Sequence, residues 1–256
     1  MTSQQRVMVT AGAAGIGRAI ADRFADDGAL VSVLDLDAVA VGALRKQRPD
    51  VDARVGDVSD EATLDAWFDD VLASWGGLDV LINNAGIAGP TAYVEDIDID
   101  EWRRCLAVGL DSHFLAGRRA ARTMKAQRSG SIVAISSTAG LFGYGMRTPY
   151  AAAKWAVIGL VKSMAVELGP HGVRVNAVCP GSVDGPRMRR VIEAQAAQTG
   201  TDPVDVERDY LQGQSIARFV DPREIADMCH FLASPASAMV TGQAIAVDGH
   251  TETFHL

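Results

Sequence analysis

The chain has 256 residues, 48% hydrophobic and 22% charged, enough apolar mass for one large core. A net charge of −8 at pH 7, with no run of basic residues, argues against a nucleic-acid or anionic-membrane surface. Three dispersed cysteines (Cys105, Cys179 and Cys229), no apolar segment ahead of the first strand and no apolar run near the ~20 residues of a membrane helix predict a cytoplasmic protein with reduced thiols.

Short β-rich runs alternate with longer helical patterns. Strands are expected at 6–10, 30–35, 51–56, 78–83, 131–136, 172–178 and 244–247. Helices are expected at 15–27, 37–48, 60–75, 99–127, 149–169, 186–198, 203–212 and 221–233. The strands are apolar on both faces, which predicts cover by helices on each side. The alternation predicts an α/β fold with a doubly wound, Rossmann-like parallel sheet of about seven strands. No linker or repeat divides the chain, so residues 1–256 read as a single domain. The segment 182–215, rich in Gly, Pro, Gln and charge, reads as an insertion and a candidate substrate lid.

The first strand runs into "VMVTAGAAGIGRAI", residues 7–20. Strand, glycine loop and helix follow one another there. Ligands bind beyond the carboxyl ends of such strands. Glycines permit positive φ and close approach of the backbone. A helix beginning near Gly15 offers free N–H groups and a positive dipole end to a pyrophosphate. Yet Gly12, Gly15 and Gly17 are spaced G-x-x-G-x-G, which is not the G-x-G-x-x-G of the common dinucleotide fingerprint. The second strand ends at Asp35, eighteen positions after Gly17. A carboxylate there accepts from both adenosine ribose hydroxyls and repels a 2′-phosphate. No Arg or Lys closely follows it, so NAD is expected over NADP. Asp37 reads as the cap of the next helix.

Four further stretches fall at strand ends or helix starts: "NNAG" (83–86), "ISSTAG" (135–140), "YAAAK" (150–154) and "CPG" (179–181). Tyr150 and Lys154 are i and i+4, on one helix face. A tyrosine of pKa near ~10 is a poor base at neutral pH, and a nearby ammonium favours its phenolate. Ser137 is placed to donate to a substrate oxygen while Tyr150 exchanges its proton, with hydride passing to or from a nicotinamide.

Together these residues resemble the short-chain dehydrogenase/reductase superfamily in its compact form of about 250 residues, over nearly the whole chain, from "VTAGAAGIG" to "TGQAIAVDG" at 240–249. The family's glycine motif is T-G-x-x-x-G-x-G. Gly15 and Gly17 match it, Ile16 lies between them, and Ala11 replaces the first glycine with Gly12 beside it. The resemblance implies that Asp57 and Val58 lie near the adenine. It implies that Asn83, Asn84, Ala85 and Gly86 lie along the cofactor, and that Tyr150 and Lys154 reach the nicotinamide ribose. Pro180, Gly181 and Val183 would flank the nicotinamide. Ser137, Tyr150 and Lys154 would be catalytic, the product a secondary alcohol or its ketone, and the assembly a homotetramer.

One departure concerns the helix "WRRCLAVGLDSHFLAG", 102–117, where the family usually carries an asparagine that holds a relay water and this chain has Gly109. The expectation is a cavity holding an extra water, with Ser112 or His113 contributing, or His113 simply packed or at an interface. Candidate pocket residues are Ile87–Pro90, Thr138–Tyr144 and the 182–215 segment. Arg187, Arg189 and Arg190 either anchor an anionic group or form a solvated helix face. "DGHTETFHL" departs from the frequent "DGG" at His250 and reads as an interface tail. Alternatives are an NADPH-type 3-ketoacyl reductase, a non-catalytic dinucleotide-binding sensor or scaffold, and an epimerase or dehydratase.

Overall fold

The computed structural model describes residues 4–251. Among them, seven strands form one parallel sheet in the order β3-β2-β1-β4-β5-β6-β7. The strands are β1 (Arg6–Thr10), β2 (Leu30–Asp35), β3 (Val51–Val55), β4 (Val80–Asn83), β5 (Gly130–Ile135), β6 (Val173–Pro180) and β7 (Ala244–Val247). β1 pairs with β2 on one side, Val7 opposite Val31, and with β4 on the other, Val7 opposite Val80. Strand order reverses at β1 and β4, so the ligand crevice opens beyond Thr10 and Asn83.

Alternation along the strands sorts the core into two layers. Val7, Val9, Val31, Val33, Val80 and Ile82 face α1 (Gly15–Asp26), α2 (Ala38–Gln47) and α9 (Pro222–Ala233). Met8, Leu34, Leu81, Ile132 and Ala134 face α3 (Glu61–Trp75), α5 (Ser112–Gln127) and α6 (Thr148–Leu168). Both layers are closed, which is why the strands read as apolar on both faces.

The expected elements are present, with ends shifted by a few residues. One expected helix is interrupted. Residues 99–127 divide into α4 (Ile99–Leu106), a π-helical turn (Ala107–Asp111) and α5. Gly109 lies inside the π turn, and the Ser112 hydroxyl, at the start of α5, donates back to Val108 O in the turn at 2.7 Å. Such turns widen the helix by one residue and recur at functional sites. The space expected at Gly109 is narrow, because a Cβ there would lie 3.2 Å from Ala153 Cβ in α6. Glycine therefore lets this helix approach the residue next to Lys154.

The 182–215 segment contains α7 (Pro186–Thr199) and α8 (Pro203–Gln212). They share a small core of Ile192, Ala196 and Val206, separate from the two main layers. The tail beyond Thr251 lies outside the described residues. No helix among the described residues is long and apolar enough to cross a membrane.

Candidate active site

The glycine loop is held between β1, β2 and β4. Thr10 Oγ1, at the end of β1, accepts from the backbone N–H groups of Asn84 (2.9 Å) and Ala85 (3.1 Å). The Asn84 amide donates to Thr10 O (3.1 Å) and Ala11 O (2.9 Å). Neighbouring Asn83, expected along the cofactor, is 2% exposed, and its amide donates to His113 O in α5. Alternation at the strand end thus gives the two asparagines different tasks.

The three glycines differ in kind. Gly15 has φ +55°, and a Cβ there would meet nothing within 4 Å. Gly12 has no positive φ; its Cβ would lie 2.9 Å from the Val33 methyls, so it is needed for packing on β2. At Gly17 a Cβ would lie 2.2 Å from Ala11 O and 2.5 Å from Asn84 Nδ2. Ala11 itself adopts φ +50°, the left-handed region that a glycine would occupy without strain.

These residues fit a dinucleotide. α1 starts at Gly15, and its cap position, Ala14, has no side-chain acceptor, so first-turn N–H groups are left for an anion. Asp35 is already oriented, since one carboxylate oxygen accepts from Ala13 N (2.9 Å) and the other from Asp37 N (3.0 Å). Asp37 caps α2 as expected, accepting from Val39 N and Ala40 N. Asp57 accepts from Ser59 N and Oγ and from Arg104 Nη2 at 3.1 Å. Burial opposes its charge, but Ser59 and Arg104 outweigh it and hold the carboxyl below its ordinary pKa. Val58 is buried beside it.

β5 and α6 bring Ser137, Tyr150 and Lys154 together. Ser136 Oγ donates to Lys154 O at 2.8 Å, pinning α6 to the end of β5. The turn Thr138–Gly140 lies so close to α6 that a Cβ on Gly140 would meet Lys154 O at 2.7 Å. Ser137 Oγ accepts from Ala139 N, which fixes its position and leaves its proton for donation. Tyr150 lies in the first turn of α6, at the positive end of the helix dipole. Lys154 Nζ is buried, donates to Ile135 O at 2.8 Å and lies 5.8 Å from the Tyr150 ring centroid. Gly86 lets it approach, since a Cβ there would be 3.2 Å from Nζ.

The electrostatics favour a phenolate. Burial alone would raise the Tyr150 pKa; Lys154, Arg187, the hydrogen bond from Ser137 and Arg147 together bring it below the ordinary phenol value. Burial pulls the Lys154 pKa down as well, against the opposing pull of Tyr150. His113 is buried and its Nε2–H faces Ala85 O at 2.8 Å. Burial and the charge of Lys154 push its pKa down to about 3, so it is a neutral, packed histidine.

On the far wall, Pro180 is buried at the end of β6. A Cβ on Gly181 would lie 2.9 Å from Asp248 Cα, and Val183 pairs with Val220. Tyr144 and Tyr210 are hydrogen-bonded through their hydroxyls, and Tyr210 Oη donates to Gln195 Oε1 at 2.7 Å. That chain ties the loop after β5 to α7 and α8. Arg189 pairs with Asp184 on an exposed face, as a solvated helix would. Arg187, also exposed, donates to Gly86 O at 2.9 Å. Arg147, three positions before Tyr150, carries no local sequence signal, yet it lies against the same ring.

A family model described as enoyl-(acyl carrier protein) reductase matches residues 11–250. The cis-4-hydroxycyclohexanecarboxylate dehydrogenase of Sinomonas cyclohexanicum is 39% identical over 250 residues, covering 96% of each chain. NAD+-bound xylitol dehydrogenase superposes with a TM-score of 0.91 at 31% identity, covering 96% of this chain and 98% of that one. An actinorhodin polyketide ketoreductase with NADPH superposes with a TM-score of 0.91 at 30% identity, covering 97% and 98%. The chain belongs to the short-chain dehydrogenase/reductase superfamily. It is an oxidoreductase that interconverts an alcohol and a ketone, and its family binds a nicotinamide dinucleotide.

Proposed function

We propose that the chain is an NAD(H)-dependent dehydrogenase of secondary alcohols in which Tyr150 is the acid–base group, Lys154 stabilises its phenolate and Ser137 orients the reacting oxygen. The observation that carries this reading is the meeting of Ser137, Tyr150 and Lys154 at the carboxyl ends of the central strands, beside the loop held by Thr10 and Asn84. The bound nicotinamide would supply the hydride acceptor or donor. Ser137, fixed by Ala139 N, donates to the substrate oxygen. Tyr150 takes the hydroxyl proton during oxidation and returns it during reduction. Lys154, held by Ile135 O, keeps positive charge beside the phenolate.

Gly12, Gly15, Ile16 and Gly17 form the phosphate side of the proposed site; Asp57, Val58, Asn84, Ala85 and Gly86 follow the cofactor, and Pro180, Gly181 and Val183 close the nicotinamide end. NAD is favoured over NADP because the fixed Asp35 carboxylate faces the place of a 2′-phosphate and no basic residue closely follows it. The 182–215 segment, with its own small core and its tyrosine link to the β5 loop, is read as the substrate lid. Three buried free cysteines are in keeping with a reducing cytoplasm, and the family resemblance supports a homotetramer.

The test is NADH absorbance with a panel of secondary alcohols and polyols, with NAD and with NADP. Turnover should require NAD and fall by at least ~1000-fold in Tyr150→Phe, within the range for loss of an acid–base group acting together with its electrostatic partners. NADH binding should persist. Equal rates with and without the Tyr150 hydroxyl would overturn the assignment.

A further inference from the structure

Two arginines flank Tyr150 from different elements. Arg147 precedes α6; it is 4% exposed, and its guanidinium carbon lies 5.4 Å from the Tyr150 ring centroid and 5.5 Å from that of Tyr144. Arg187 comes from the first turn of α7 and lies 5.9 Å from the Tyr150 centroid. Each guanidinium is steadied by a carbonyl of the segment after β4, Arg147 Nη2 by Ala88 O at 2.7 Å and Arg187 Nη1 by Gly86 O at 2.9 Å.

The hydrogen-bond partners of both among the described residues are these carbonyls, not carboxylates. Arg189 takes Asp184, the acid nearest to Arg187 in sequence. Asp248, near Gly181, accepts from His250 N and Thr251 N. Arg147 Nε is buried and has no hydrogen-bond partner. Many other arginines of the chain pair with carboxylates, Arg6 with Asp79 and Arg48 with Asp26 and Asp50, although Arg45 and Arg174 are likewise held by backbone carbonyls. A buried guanidinium lacking an anion is costly unless a ligand supplies one. Its planar fork matches the two oxygens of a carboxylate, which an ammonium does not do.

We propose that the substrate is a hydroxy acid or the matching keto acid, its carboxylate held by Arg147 and Arg187 while its hydroxyl or carbonyl oxygen faces Tyr150 and Ser137. This rests on the proposed dehydrogenase reading for the position of the reacting oxygen. Placing both arginines around the tyrosine's ring fixes the acid group next to the reacting centre. Neutral alcohols of the same skeleton then lose the contact that orients them.

The same two cations could serve an anionic group of the cofactor, and the experiment separates the two sources. NADH-saturated enzyme is titrated calorimetrically with butanoate, cyclohexanecarboxylate and benzoate, and with their neutral carboxamides. At least one carboxylate should bind about ten- to hundredfold more tightly than its amide, the range for hydrogen bonds to a charged partner. Arg147→Met should abolish that preference. Arg147→Lys, which keeps the charge and most of the stem, should retain part of it. Arg187→Gln, at an exposed position with little influence on folding, should reduce it about tenfold.

NADH affinity, read by fluorescence, should stay within about twofold in Arg147→Lys and Arg187→Gln. Equal binding of acid and amide in all three pairs overturns the proposal. So does an unchanged preference in Arg147→Met and Arg187→Gln, or a loss of NADH affinity in its place. Tyr150→Phe should keep the full acid-over-amide preference. A protein that shows the preference without any NAD-linked turnover would refute the dehydrogenase reading and leave the anion site standing.

Discussion

Gly17→Ala tests why the phosphate loop has its shape. The added methyl would lie 2.2 Å from Ala11 O, 2.5 Å from Asn84 Nδ2 and 2.9 Å from Gly12 Cα. Two of the three are backbone atoms, and the third belongs to the amide that fastens β4 to the loop. No side-chain rotation relieves the contact, so α1 must move away from the loop. Overpacking of this kind costs about 1–3 kcal/mol. Release of the two Asn84 hydrogen bonds adds about 1 kcal/mol each, for a total of about 3–5 kcal/mol. Gly15→Ala is the control within the same motif, because its methyl meets nothing and only φ +55° opposes it. That change costs about 1–2 kcal/mol. Scanning calorimetry should show Tm falling by about 6–20 °C for Gly17→Ala and about 2–8 °C for Gly15→Ala, from the usual 2–4 °C per kcal/mol in chains near this size. The Gly17 variant should also lose NADH affinity by fluorescence titration, since the first-turn N–H groups shift. Equal destabilisation by the two substitutions would refute the reasoning.

Two further outcomes follow from the electrostatics. The cations around Tyr150 favour its deprotonated form, so their removal raises its pKa. On the proposed mechanism alcohol oxidation uses the phenolate and should fall as pH drops through the lowered pKa; Lys154→Met should move that acid limb of the kcat profile to higher pH, and Arg187→Gln should move it in the same direction by less. A limb unmoved in both variants would show that some other group titrates. Asp35→Ser removes the charge proposed to repel a 2′-phosphate, and the ratio of kcat/KM with NADP to that with NAD should rise at least about tenfold, the scale of a charged hydrogen bond. An unchanged ratio would mean that cofactor choice resides elsewhere.

The sequence by itself determined the sheet, the alternation of elements and the nucleus of the site. Those signals are local: a strand repeats every two residues, a helix every 3.6, and the i, i+4 spacing of Tyr150 and Lys154 is fixed by one turn of helix. Asp37 was legible as a cap for the same reason. The tertiary structure decided what neighbours in sequence do with that geometry. Gly12 serves packing on Val33 while Gly17 serves close approach to Ala11, although both stand in one motif. Asn83 turns to α5 while Asn84 fastens the loop, because adjacent residues at a strand end point oppositely. The π turn holds Gly109 where a Cβ would lie 3.2 Å from Ala153 Cβ in α6, a proximity that no periodicity encodes. Arg147 and Arg187 reach carbonyls 59 and 101 residues away, and the guanidinium of Arg187, although the residue is exposed, lies 5.9 Å from the Tyr150 ring centroid. Bonded geometry writes the first kind of information into short stretches of chain. The second exists only once the sheet has brought distant strand ends together.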